Sequence, residues 1–424
     1  MFDAIAARGG AAAAVTDQTW LQAMLDAEAA LARALAQAGL IEDAEAEAIA
    51  AACRAEHFDA AAIAAAASGS GNPVVPLKAA LTDAVEGQAA AHVHRGATSQ
   101  DILDTAAMLV TARALEPLLE DVGAAASAAA DLARAHRDTP MAGRTLLQQA
   151  VPVTFGLKAA GWLAGLDDSR RWLEEIRLER LASQLGGAAG TLASLGDAGP
   201  QVAAAYAELL GLAEPVVPWH TQRGRIGELA SALAVLSGAV AKTARDIVLL
   251  SQTEVAEVRE GKGGGSSTMP HKRNPVAAIC ALGCAQQAPG LAATLLGAMA
   301  HEHERAAGAW HAEWRPLSEL LRSTGSAVAW LRESLEDLEV DPERMRANLE
   351  LTGGRLMAER VAAALGGADA HERVAEAARG EDFRAAVAEL VGEERARELL
   401  DHAGYLGSAG TFVDRALDDH DREA

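Results

Sequence analysis

The stretch 225–260, RIGELASALAVLSGAVAKTARDIVLLSQTEVAEVRE, decides the fold. It contains no proline, and apolar residues recur at Ile226, Leu229, Leu233, Leu236, Val240, Ile247 and Leu250, with Thr243 filling the one polar place. Steps of three and four put these side chains on one stripe of a helix, the seam used in bundles and coiled coils. A helix of that length outruns the usual globular one and reads as a spine shared between subunits. Working outward, comparable candidates cover 99–137, with Pro117 expected to kink it, then 152–184, 275–305 and 316–338. Five long helices thus fill a central region, 98–341. A smaller helical region, 1–97, precedes it, with Asp17 and Asp43 as helix starts. Shorter helices broken at Gly353-Gly354, Gly366-Gly367 and Gly404 make a C-terminal region, 342–424. The reading is all-α in three domains.

Composition agrees. The chain has 424 residues, 50% hydrophobic, with 3% aromatics and 13 prolines, which favours close-packed helices over sheet. A formal net charge of -22 argues against nucleic acid or an anionic membrane as partner. It does not argue against an anionic substrate held by a local cluster of arginines. Cys53, Cys280 and Cys284 have no metal-ligand spacing, and so few thiols fit a reducing cytoplasm. No signal peptide and no charge-free apolar run of membrane-spanning length is read.

Chemistry concentrates in Gly264-Gly265-Ser266-Ser267-Thr268-Met269-Pro270-His271-Lys272-Arg273-Asn274-Pro275. Glycines at 261, 263, 264 and 265 let the backbone bend over a ligand. Paired serines offer exchangeable protons, and Lys272 and Asn274 offer donors to an anionic oxygen. Lysine is otherwise scarce: Lys78, Lys158, Lys242 and Lys262 complete the set.

This loop, 261–275, resembles the signature of the fumarase/aspartase superfamily, Gly-Ser-Ser-x-Met-Pro-x-Lys-x-Asn, at every defined position. Two further segments are similar to that superfamily's. One is His94-Arg95-Gly96-Ala97-Thr98-Ser99-Gln100-Asp101, and the other is Gly143-Arg144-Thr145-Leu146-Leu147-Gln148-Gln149. The resemblance implies a homotetramer with a 20-helix core and active sites shared between subunits. It implies chemistry beside a carboxylate through a carbanion-like intermediate, with no cofactor and no metal. Ser266 is then the proton-transferring residue, and Lys272 and Asn274 bind carboxylate. Thr98 and Ser99, at a helix start, also hold carboxylate by the resemblance, or simply cap the helix.

Departures from the pattern point to one branch. The superfamily's fumarases and its arginino- and adenylosuccinate lyases carry histidine after the threonine of the second segment, where this chain has Leu146. Hydroxide and amines are poor leaving groups and need an acid. A carboxylate, with a parent pKa near 4, needs none. Loss of the histidine is therefore tolerable in a lactone-forming cycloisomerase. The segments 148–162, 219–223 and 301–314 are similar to that branch, whose substrate is the tricarboxylate 3-carboxy-cis,cis-muconate. Trp310 and Trp314 stand where adenylosuccinate lyases bind phosphate, which disfavours a nucleotide. Leu146 replaces the tryptophan usual in the cycloisomerases, and Gly224 replaces an aspartate.

Three substrate carboxylates need cations: Arg144, Arg223, Arg225, Arg305 and Arg315 are candidates, each with a surface ion pair as the plain alternative. Arg305, inside His303-Glu304-Arg305, ranks first. Thr145, Gln148 and His220 complete the expected contacts, with His94 and His271 as further polar candidates. His301, His303 and His311 raise a metal site. On the expected helix, however, residues two apart face different ways, a poor chelate. Two rivals stand beside the cycloisomerase: a fumarate-releasing lyase, and a non-catalytic helical tetramer, which has no use for Ser266, Lys272 and Asn274.

Overall fold

The 225–260 seam folds as the helix Gly224–Leu250 and stops where the apolar periodicity stops. Past Leu250 the chain turns, with Ala256 at φ 51°, and Val258–Glu260 pairs antiparallel with Leu338–Val340. The computed structural model describes residues 2–265 and 268–422. Helices dominate, and among the described residues the strands form three two-stranded ribbons, so the all-α reading holds.

The other long helices depart from expectation for local reasons. Ser99–Ala135 runs through Pro117 without interruption. The segment starting at Pro152 begins as a strand: Pro140–Thr145 and Gln148–Thr154 form a hairpin. The helix starts only at Phe155, where the Thr154 hydroxyl accepts the Leu157 amide at 3.0 Å. The expected helix 275–305 is two helices, Val276–Ala285 and Ala288–Gly297, separated at Gln286-Gln287 beside Pro289. Pro316 lies inside the helix Ala309–Glu336 rather than starting it.

One expectation is corrected outright. Val276–Gly297 spans 22 residues with a mean hydropathy of 1.4 and no charge, so an apolar run of membrane-spanning length does exist. The glutamine pair and the proline break it into two short helices, each well under the length a span requires.

The chain divides into two units that do not follow sequence order. One comprises Met1–Asp121, Ser169–Gly238 and Gly283–Ala329; the other comprises Val122–Asp168, Ala239–Leu282 and Trp330–Ala424. In the first, Asp17–Gln37 buries Leu21, Leu25, Leu31 and Leu35. Trp20 of that helix donates its indole N–H to Ser318 at 3.0 Å, fixing it on the helix that starts at Ala309. In the second, Leu349, Met357, Val361, Val374, Phe383, Val387 and Leu399 form an apolar core with Ala142 of the hairpin. The last helix, Ala409–Asp421, is tied down by His420–Asp167 and by Arg137–Asp414. Cys53 and Cys284 are buried and Cys280 is half-buried, and burial pushes the Cys53 thiol far up.

Candidate active site

Asp101 anchors the candidate residues that lie in the first unit. It sits in the first turn of Ser99–Ala135, fully buried, and its carboxylate takes four donors. The amides of Thr98, Gly186 and Gly187 donate at 2.9 Å each, and His220 Nε2 at 2.6 Å. A proton on Nε2 is the tautomer this arrangement requires, leaving Nδ1 as the open position. Gly187 has φ 69° and a Cβ there would lie 2.9 Å from the Gly96 carbonyl, so glycine alone fits. Sequence reading assigned no role to Asp101, although it closes the Thr-Ser-x-Asp pattern. Asp101→Asn would set an amide N–H against backbone donors. It is expected to cost about 2–3 kcal/mol of stability, read by urea titration. A shift under half that would mean the donors relax onto other partners.

Around this anchor, Gln100 donates to the His220 carbonyl at 2.8 Å and accepts from Arg305 at 3.0 Å. Arg305 also donates to the carbonyls of Gly187 and Ala188, at 3.4 and 2.9 Å. Among the described residues Arg305 meets no carboxylate, so its charge is held in place but not neutralised. The Thr98 and Ser99 hydroxyls are half-buried and make no hydrogen bond among the described residues. Thr98, His220 and Arg305 are therefore gathered by one carboxylate and one amide, with Ser99 following Thr98 in the chain.

Two other candidate cations are engaged by different partners. Arg223 is buried between Asp104 and Glu313: Nη1 donates to Asp104 at 2.7 Å, and Nε and Nη2 to Glu313 at 3.0 and 2.5 Å. Its guanidinium lies 4.6 Å from the Trp219 ring centre, and Trp310 donates to Asp104 at 3.0 Å. The reading of Arg223 as a substrate cation is thus replaced by a structural one. Arg225 donates to the Arg180 carbonyl at 2.5 Å and covers the other contact with Trp219. A side chain at Gly224 would meet nothing within 4 Å, so packing does not force the missing aspartate. Arg315 lies at a cavity of about 390 Å³ lined by Trp20, Met24, Ile63 and Trp314. His301 and His303 are not helical, which removes the helix argument about them. His301 is buried 3.2 Å from Glu313, and His303 is exposed with φ 48°. His94 is held by Glu28 at 2.6 Å.

In the second unit the signature loop stands on a short ribbon, Gly264–Gly265 paired with Arg273–Asn274. Its feet are pinned by Glu260, which accepts the amides of Ala277 and Ala278 at 3.1 and 2.8 Å and the Ser334 hydroxyl at 2.7 Å. Lys272 is exposed and meets no carboxylate among the described residues. With His271 and Asn274 it lines a cleft of about 1100 Å³. Ser266 lies outside the described residues. The hairpin carries Thr145 and Gln148 as its last register pair, with Leu146 and Leu147 as the turn at φ 51° and 64°. Leu146 is 97% exposed and can give no proton. Arg144, by contrast, is paired with Glu257 at 2.8 and 2.9 Å. Glu257 and Glu260 escaped the sequence reading because nothing local marks a buried carboxylate.

The lyase family profile matches residues 7–290. A 3-carboxy-cis,cis-muconate cycloisomerase of Bradyrhizobium diazoefficiens is 48% identical, over 97% of this chain and 96% of that one. A nitrosuccinate lyase of Streptomyces davaonensis is 46% identical, over 97% of this chain and 92% of that one. The crystal structure of 3-carboxy-cis,cis-muconate lactonizing enzyme from Pseudomonas putida superposes with a TM-score of 0.93. It is 43% identical, with 100% of this chain and 99% of that one covered. On the three segments, the helical architecture and these likenesses, the chain belongs to the lyase family of the fumarase/aspartase superfamily.

Proposed function

We propose that this chain is a cofactor-independent cycloisomerase that closes 3-carboxy-cis,cis-muconate to 4-carboxymuconolactone, a step of protocatechuate breakdown. The observation that carries the reading is Leu146: the hairpin position that serves as an acid in other branches holds an exposed side chain without a proton. A substrate carboxylate oxygen attacks the far end of a conjugated double bond. The new C–O bond pushes the π electrons onto the neighbouring carbon, and its carboxylate takes the charge as an aci-form. Lys272, Asn274 and the Thr98 and Ser99 hydroxyls hold that charge, and Arg305 holds a second carboxylate. Thr145, Gln148 and His220 complete the contacts. Ser266 then gives its proton to the carbon, and the alkoxide is reprotonated from water.

The same reading has the chain self-associate as a homotetramer with shared sites in the cytoplasm. It is supported by the apolar surface left by Val276–Gly297, where Ile279 and Leu296 are about half exposed. A second reading is favoured by the nitrosuccinate lyase relative. Nitrite, like carboxylate, leaves as the anion of a fairly strong acid, so Leu146 suits that elimination too. The test is ultraviolet absorbance with each substrate, with chelator present. Loss of the muconate diene band is the expected result. Growth of fumarate absorbance from nitrosuccinate, with the muconate unchanged, would overturn it.

A further inference from the structure

Arg144 lies on the strand Pro140–Thr145, at the register position opposite Gln149 and just after a bulge. Its guanidinium meets the fully buried Glu257 through two parallel bonds, Nη1 to Oε2 at 2.9 Å and Nη2 to Oε1 at 2.8 Å. Such a fork is directional and neutral overall. Asn348 completes it: its Nδ2 donates to Glu257 Oε1 and to the Val255 carbonyl, both at 2.8 Å. Gln149, across the ribbon from Arg144, donates to the Asn348 carbonyl at 2.9 Å. Two neighbours on one hairpin thus grip one carboxylate and one asparagine.

The other side of Glu257 leads straight to the signature loop. Three residues on, Glu260 pins both feet of the loop through Ala277, Ala278 and Ser334. Gly261 and Lys262 donate their amides to Asp337, at 2.9 and 2.5 Å, fixing the first foot again. Between hairpin and loop foot, then, each link is a short bond to a buried carboxylate or amide. Arg144 has no spare charge to offer a substrate, since any second anion competes with a carboxylate that cannot reach water.

We propose that Arg144 and Glu257 are a positioning pair that sets the signature loop against the hairpin, and that Arg144 does not bind substrate. The kinetic part rests on the cycloisomerase reading; the structural part does not. Neutralising Arg144 leaves the Glu257 charge buried and unpaired, and neutralising Glu257 releases the half-buried Arg144 from its fork, whereas neutralising both removes the conflict.

The experiment compares Arg144→Gln, Glu257→Gln, the double variant and Arg144→Lys by two readouts. In amide hydrogen exchange of the peptide covering 258–276, which needs no substrate, both single variants are expected to exchange about tenfold faster or more. The double variant lies closer to wild type. In turnover of 3-carboxy-cis,cis-muconate, kcat is expected to fall about 10–100-fold in both singles while KM stays within about threefold. If Glu257→Gln does not fold, Arg144→Lys, which keeps the charge but not the fork, decides by the same two readouts. Unchanged loop exchange in the folded variants overturns the proposal. So does a tenfold rise in KM for Arg144→Gln or Arg144→Lys, which would put Arg144 on the substrate. Should wild type leave the muconate untouched, the functional reading fails, and the exchange result still decides the pair.

Discussion

Ser266→Ala lowers the rate of lactone formation by about 10²–10⁴-fold, the range a positioned proton donor contributes. In the proposed mechanism the substrate carboxylates are held by other groups, Lys272, Asn274, Thr98, Ser99 and Arg305, so KM is expected to move little. A serine hydroxyl is a weak acid and its alkoxide a strong base. The exchange works only where water is excluded and cations favour the anion. The described ends of the loop are fixed: Gly264–Gly265 pairs with Arg273–Asn274, and Glu260 accepts the Ala277 and Ala278 amides. The measurement is the decay of the diene band in wild type and variant at saturating substrate. A variant within about threefold of wild type would remove Ser266 as the donor, because general acid catalysis is worth far more than that.

Arg223→Met carries the largest expected effect on stability. The substitution keeps most of the volume of the side chain and removes its charge, leaving Asp104 and Glu313 buried without the cation they share. Asp104 retains Gln100, Gln184 and Trp310 as donors, but among the described residues Glu313 is left with no hydrogen bond, only the unbonded His301 ring 3.2 Å away. Breaking a buried pair in this way costs about 3–5 kcal/mol. Much of that loss is uncompensated charge, so the triple variant Asp104→Asn, Arg223→Met, Glu313→Gln is expected to recover a good part of it. Denaturant midpoints of the three proteins test both statements. A single variant as stable as wild type would show that the network orders the site without holding the fold together.

Much of the fold was legible because helices announce themselves locally. The stripe from Ile226 to Leu250 needs only the 3.6-residue repeat, and the helix ends within a residue of where that stripe ends. Boundaries failed where a tertiary partner decided them. Val258–Glu260 is extended because Leu338–Val340 offers it a ladder, and Pro152 lies in a strand because Ala142 lies opposite. Neither partner is visible from within a window of the chain.

The candidate site divides the same way. Residue types and spacing alone selected the signature loop, the Thr98–Ser99 helix start and the hairpin, because that chemistry needs hydroxyls, amides and cations in runs. The sequence by itself determined the helical class, the family and the absence of an acid at Leu146. Only the tertiary structure decided which charges are free. Thirty residues apart or two hundred, an arginine in the sequence looks the same whether or not a carboxylate meets it. Folding buried Asp104, Glu257 and Glu313, and a buried carboxylate must be paired. It therefore claimed Arg223 and Arg144 and, among the described residues, left Arg305 and Lys272 without a carboxylate partner.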